Sequence, residues 1–146
     1  VHPSIQTRVS CRRRKPLEYT LVEKQIEEID KVLKKEFMEL GVHCVCLIDL
    51  AGNLITNIDN GRITYDVYTL AALAAGNYGA VNAIAKIIGE EEFSLLFHKG
   101  KNESIHFSKI AADFILVAIF GKETSLGFLR LRAVQAAKKI ERILKF

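Results

Sequence analysis

The side chains that could do chemistry in this sequence are few and scattered. Cys44 and Cys46 stand two apart in VHCVCLID, residues 42–49, so on an extended strand they share a face while His43 points to the other. A thiol pair can ligate a soft metal, but a zinc centre needs further ligands at a recognised spacing, and none accompanies this pair. Buried core thiols are the simpler reading. His98 and His106 fall on other predicted strands, with no serine or cysteine nucleophile assigned to them. Glu90, Glu91 and Glu92 cluster at a turn, where water solvates carboxylates. Arg62 precedes a long helix and could reach a partner's phosphoryl group, but no motif supports that role. GxSxG, Walker-type and HExxH patterns are absent from the sequence. Catalytic residues, a metal and a cofactor are therefore not expected, and binding is the better class of function.

The 146 residues suit one domain large enough for a core without staples. Apolar residues make up 49% and charged residues 26%, an ordinary globular balance. The net charge of +4 misleads. Residues 1–16 carry Arg8, Arg12, Arg13, Arg14 and Lys15 without an acid, and the remainder holds 16 basic and 17 acidic side chains. We expect residues 1–16 to form a flexible basic tail and residues 17–146 a single domain. Residues 8–15 offer a weak contact to anionic membrane, and the neutral domain argues against nucleic acid. Three cysteines without a paired framework fit a reducing compartment. The opening residues lack the apolar run of a secretory signal. No transmembrane segment is expected either, because Asn77, Asn82 and Lys86 interrupt the most apolar helix. A cytoplasmic domain follows.

The elements that would position a binding site centre on residues 64–89, TYDVYTLAALAAGNYGAVNAIAKIIG. Thr64 or Asp66 can cap this helix and Gly89 can end it. Leu70, Leu73, Asn77, Val81, Ile84 and Ile88 share one face, which predicts a core side with Asn77 as a satisfied buried polar group. The opposite face carries Tyr68, Ala72, Ala75, Gly79, Asn82 and Lys86. Between them runs a flank of small residues, Thr69, Ala72, Gly76, Ala80 and Ala83, which lets a second helix backbone come close. So little charge means that more than one side is covered, and self-association explains this better than burial inside so short a chain.

Around that helix the chain reads as helix, two strands, helix, three strands, helix. Residues 20–40 form an amphipathic helix with Thr20 and Glu23 as capping box, a stripe of Val22, Ile26, Ile29, Leu33, Phe37 and Leu40, and Gly41 as stop. Residues 42–49 and 54–59 form a hairpin about Gly52-Asn53, followed by a turn at Asn60-Gly61. Residues 92–98 and 104–109 alternate as strands, and FILVAIF, residues 114–120, is apolar on both faces and so central. Residues 126–144 form the last helix, with Leu126, Leu129, Val134 or Ala133, Ala137, Ile140 and Leu144 inward. The expected fold is α/β of the α+β type. A five-stranded antiparallel sheet has the middle helix on one face and the first and last helices on the other. One Ala-rich helix is narrow cover for such a sheet. A second copy beside it would complete the layer, and the strand after it could pair with its twin and remove an exposed edge.

Three stretches, VCLIDLAGNLIT, LAALAAGNYGAVNAIAKIIG and FILVAIFGKETSLGFLRLRAVQAAKKIERIL, together resemble the Roadblock family over residues 20–145. That family includes the dynein light chain of that name and bacterial MglB-type regulators of Ras-like GTPases. The resemblance implies a homodimer or heterodimer with one sheet across two subunits and the Ala-rich helices side by side. It also implies a partner, a Ras-like small GTPase docked on the paired middle helices. Carried over, the GTPase-binding face is Tyr68, Ala72, Ala75, Gly79, Asn82 and Lys86. The dimer interface is Thr69, Gly76, Ala80 and Ala83, with Phe93, Leu95 and Phe97 at the sheet edge; the two faces could trade places. The family also implies an alternative, a dimeric scaffold or adaptor of the dynein-light-chain or trafficking-complex kind. A PAS- or profilin-like small-ligand sensor is a second alternative, against which the single long helix argues.

Overall fold

A computed structural model describes residues 21–144; the expected basic tail, Cys11 and Thr20 lie outside the described residues. Helix α1 spans Glu23–Phe37 and runs into a short 3₁₀ turn, Met38–Leu40. Strands β1, Cys44–Asp49, and β2, Leu54–Asp59, follow, then helix α2, Val67–Ile87. Strands β3, Leu96–Lys99, β4, Ser104–Ile110, and β5, Phe114–Phe120, precede helix α3, Leu126–Leu144. The strands form one antiparallel sheet in the order β2-β1-β5-β4-β3. β5 is buried at every position, as a central strand apolar on both faces requires.

Period-two alternation divides the core into two layers. Val45, Leu47, Phe114, Leu116 and Phe120 meet Ile29, Leu33 and Phe37 of α1 and Leu129, Ala133 and Ile140 of α3. On the other face Cys44, Cys46, Ile48, Ile115, Val117 and Ile119 meet Ala71, Ala74 and Ala75 of α2. The architecture is the expected one: among the described residues, three α-helices lie on a five-stranded sheet, with α2 by itself on one face.

Several local details differ from the sequence reading. Helix α1 begins at Glu23, so Glu23 is its first helical residue and not the reciprocating member of a cap. Gln25 fills that role: its Oε1 accepts from the Val22 N–H at 3.1 Å. Val22 is consequently exposed at the cap position rather than part of the buried stripe. On α3, Ala133 and Ala136 are buried while Val134 is exposed. Strand β3 is only four residues long and begins at Leu96, so Phe93 and Leu95 lie before it instead of within it.

The largest difference concerns α2. Its core side consists of Ala71, Ala74, Ala75 and Ala85, with Val67, Leu70 and Tyr78 at the margin. Leu73, Ile84 and Ile88, expected inward, are exposed. The reason is distance: alanine lets the helix lie close to the sheet. The β1–β2 hairpin tip presses in from the side, and a Cβ placed on Gly52 would be 3.0 Å from the Ala72 Cα and 3.6 Å from the Ala75 Cβ. Gly52 also holds φ +93°, which a glycine adopts without strain. Asp49 Oδ1 fixes the tip by accepting from the Ala51 and Asn53 N–H groups at 3.0 and 2.8 Å.

Candidate interaction surface on the middle helix

Asp66 caps α2. Its carboxylate accepts from the Tyr68 N–H at 3.2 Å and from the Thr69 hydroxyl at 2.7 Å. The Thr69 bond leads the interactions that hold the Asp66 carboxyl below its usual range. From this start, 100° per residue carries Thr69, Leu73, Gly76, Ala80, Ala83, Ile84 and Ile87 to the side away from the sheet. None of these seven is charged. Leu73 is 68%, Ile84 52% and Ile87 84% exposed, and a Cβ on Gly76 would meet nothing within 4 Å. Of α2's large aliphatic residues, three thus stand in solvent while Ala71, Ala74, Ala75 and Ala85 are inside.

The expected dimer residues Thr69, Gly76, Ala80 and Ala83 all lie on this outward face and are exposed. Phe93 and Leu95 are exposed ahead of β3. Phe97 is different: it is half-buried and stacks on Phe120 with ring centroids 6.0 Å apart, so its side chain belongs to the layer under α1 and α3. Only its backbone, on the edge strand, is placed for pairing with another chain.

The expected docking residues do not all share a surface. Tyr68, Ala72, Gly79 and Lys86 are exposed and Asn82 is half-buried along one flank of the helix. Ala75 is a correction: at 7% exposure it is sealed against the Gly52 turn and the sheet, and offers nothing to a partner. Asn77, expected in the core, is half-buried and its amide lies 3.1 Å from His98 Nε2, tying α2 to β3. Residues 73, 84, 87 and 88 are the surface features that helix phase by itself misassigned or left out. The signal that could have found them is the run of alanines, which packs against a sheet more closely than leucine does.

The titratable groups do not converge. Cys44 and Cys46 are buried with their sulfurs 3.7 Å apart, and the bond between them together with burial raises the Cys46 thiol well above its usual range. His43 lies between two carboxylates, Nδ1 2.9 Å from Glu103 and Nε2 2.7 Å from Glu123. His106 is buried on β4, where desolvation, helped by Arg130, lowers it to about 4. Among the described residues no group of three His, Cys, Asp or Glu side chains is placed to hold a metal ion, and no helix is long and apolar enough to cross a membrane. Arg62 stands exposed in the loop before α2, its N–H donating to Asn60 Oδ1 at 2.9 Å.

This arrangement of helices on a five-stranded sheet has counterparts among known proteins. The family model of the Roadblock/LC7 domain matches residues 28–120. The chain belongs to the Roadblock/LC7 family. Among solved structures, MglB of Myxococcus xanthus is 33% identical, covers 85% of this chain and 92% of its own, and superposes with a TM-score of 0.77. The gliding protein MglB of Thermus thermophilus is 26% identical over 90% of this chain and 98% of its own, at a TM-score of 0.80. An MglB structure described with a tetrameric arrangement matches at the same 26% identity, coverage and TM-score of 0.80. This Roadblock/LC7 chain spans nearly the whole of each of these three.

Proposed function

We propose that this Roadblock/LC7 chain is a homodimeric binding module that regulates a Ras-like small GTPase in the manner of MglB. The observation that carries the reading is the outward face of α2, where Leu73, Ile84 and Ile87 are exposed around Gly76 and no charge intervenes. Monomeric proteins rarely leave such a patch uncovered. Covering those three side chains would contribute on the order of 5 kcal/mol per subunit, against an association cost of about 4–15 kcal/mol, so it favours this face as the contact without fixing an affinity. The small residues Gly76, Ala80 and Ala83 let two α2 helices approach closely. The exposed edge of β3 gives a second place of contact, where one sheet would continue into the next.

In this reading Tyr68, Ala72, Gly79, Asn82 and Lys86 flank the paired helices and meet the GTPase. The module acts by binding and supplies no catalytic group; hydrolysis would be stimulated by reordering the GTPase's own residues. Action in the cytoplasm fits the two free thiols on β1. The tetrameric arrangement of one MglB structure supports self-association as a habit of such folds.

The experiment is capture on immobilised protein of a purified Ras-like GTPase from the same source, loaded in parallel with GDP and with a non-hydrolysable GTP analogue. Binding that depends on nucleotide supports the regulator. Equal binding in both states favours a scaffold. No binding by folded, dimeric protein removes the GTPase from the reading.

A further inference from the structure

The opposite face of the molecule carries a second surface. Helix α3 buries Leu129, Ala133, Ala136, Ile140 and Leu144. Its most outward ridge is therefore Phe128, Leu131, Gln135, Lys138 and Arg142, spaced three, seven, ten and fourteen residues along. That is the spacing with which one helix receives another along a seam. The ridge is about 21 Å long at 1.5 Å per residue. Its first half is apolar, with Phe128 63% and Leu131 54% exposed, and its second half is basic.

The basic half borders a cleft of about 460 Å³ between α1 and α3. Five cations and two carboxylates line it. The described residues 21–144 hold 15 basic and 16 acidic side chains, so outside the cleft they have 10 against 14. Positive charge is gathered here and depleted elsewhere. Two of the cations have internal duties. Lys139 Nζ binds the buried Glu36 at 2.6 Å, and Arg132 donates to the Glu36 carbonyl at the end of α1 at 3.1 Å. Lys35, Lys138 and Arg142 have no ion pair or side-chain hydrogen bond among the described residues.

We propose that the α3 ridge and its cleft dock an acidic helical segment of a protein partner, apolar side chains on Phe128 and Leu131 and carboxylates on Lys138, Arg142 and Lys35. Charge complementarity selects the acidic end, and the apolar half of the same ridge selects a polypeptide over a small polyanion, which would leave Phe128 and Leu131 bare. A flat anionic membrane fits less well. The Gln25 side chain donates to the Ile143 carbonyl at 3.0 Å, which places the start of α1, with exposed Glu23, Glu27 and Glu28, beside the basic end of α3. Because α3 and α2 cover opposite faces of the sheet, this partner and one on α2 can be held together. The surface does not depend on the GTPase reading.

The test is fluorescence anisotropy of the full chain with a designed, labelled 15-residue helical peptide. It has leucine at its first two seam positions and glutamate at the next three. We expect a dissociation constant in the tens of micromolar, weakened at least tenfold by Leu131→Asp, by the pair Lys138→Glu and Arg142→Glu, and by scrambling the peptide at fixed composition. All three substitutions replace exposed or unpaired side chains; should Leu131→Asp fail to fold, Phe128→Ser reads the same contact. Absence of binding overturns the proposal. So does equal binding of the scrambled peptide, or full displacement by equimolar inorganic triphosphate, because either shows charge recognition without a seam. Cosedimentation with vesicles of 70% phosphatidylcholine and 30% phosphatidylserine that the same substitutions abolish, without peptide binding, assigns the surface to membrane instead.

Discussion

His43 Nε2 stands 2.7 Å from Glu123 Oε2 while its other ring nitrogen stands 2.9 Å from Glu103 Oε1, so one imidazole joins the start of β1 to the β3–β4 loop and the β5–α3 loop. Gly121 leaves the room: a Cβ there would be 2.6 Å from a Glu123 oxygen and 2.9 Å from the ring. The bonds to Glu103 and then Glu123 raise the His43 pKa above 6.5. A raised histidine adds stability that is complete below its unfolded value and is lost as pH rises through the folded one. Glu123 is lowered from 4.5 by a backbone hydrogen bond and by His43, so its share fades as pH falls through that lowered value. The clasp is therefore strongest in mildly acidic solution. We expect His43→Gln to destabilise by about 0.5–1 kcal/mol at pH 5.5, a figure discounted for solvent screening, and by clearly less at pH 8.5. Urea unfolding at the two pH values checks this; an equal loss at both would mean that packing, not charge, holds the loops.

His106 gives the opposite dependence. Burial first, and Arg130 second, lower it to about 4 from 6.5. Between those values the unfolded chain binds a proton that the folded chain refuses, so stability falls as the solution is acidified. The loss attributable to this ring reaches about 3 kcal/mol by pH 4, at 1.36 kcal/mol per unit. His106→Leu should leave the acid limb between pH 6.5 and 4 visibly flatter. An unchanged limb would transfer the effect to carboxylates elsewhere.

Much of this was legible in the sequence. Hairpin turns, the apolar strand β5 and the stripes of α1 and α3 all follow from local rules, and the order of elements sufficed for the sheet. What was not legible depends on contacts made across long separations. His43 meets residues 60 and 80 positions away, at loop sites that no periodicity marks. Helix phase placed the leucine and isoleucine side of α2 inward, because hydrophobicity ranks leucine above alanine. The sheet and the Gly52 turn select for closeness instead, and only the folded arrangement reveals that Ala75 is sealed and Leu73 is free. The β3 edge was found, but its shortness left Phe93 and Leu95 outside the ladder.

Gly52 is the position where the hairpin and α2 constrain each other. Its φ of +93° disfavours any side chain, and the added Cβ of Gly52→Ala would face the Ala72 backbone at 3.0 Å. Backbone cannot swing aside as a side-chain tip can, so the hairpin tip or the helix must shift. We expect a loss of about 1–3 kcal/mol, from strain together with the displaced packing. Denaturant midpoints measure it. A loss below that range would show that the tip moves freely and does not set the height of α2 above the sheet.

Gly76 separates the fold from the assembly. Nothing lies within 4 Å of a Cβ at this position, so Gly76→Leu does no harm within one chain and even improves helix propensity by roughly 0.5–1 kcal/mol. Any effect on mass must then come from another molecule. If α2 packs against its twin through Gly76, Ala80 and Ala83, the leucine forces the backbones apart and the dimer constant should weaken at least tenfold, with the thermal midpoint of the dilute monomer unchanged or higher. Sedimentation equilibrium over a hundredfold range of concentration reads the constant directly. A second substitution, Leu73→Asp, removes an exposed aliphatic from the same face and should act in the same direction. Retention of the dimer by both variants would take the interface off the outward face of α2 and move it to the flank of Tyr68 and Lys86, leaving the GTPase to be sought on the face of Leu73 and Ile84.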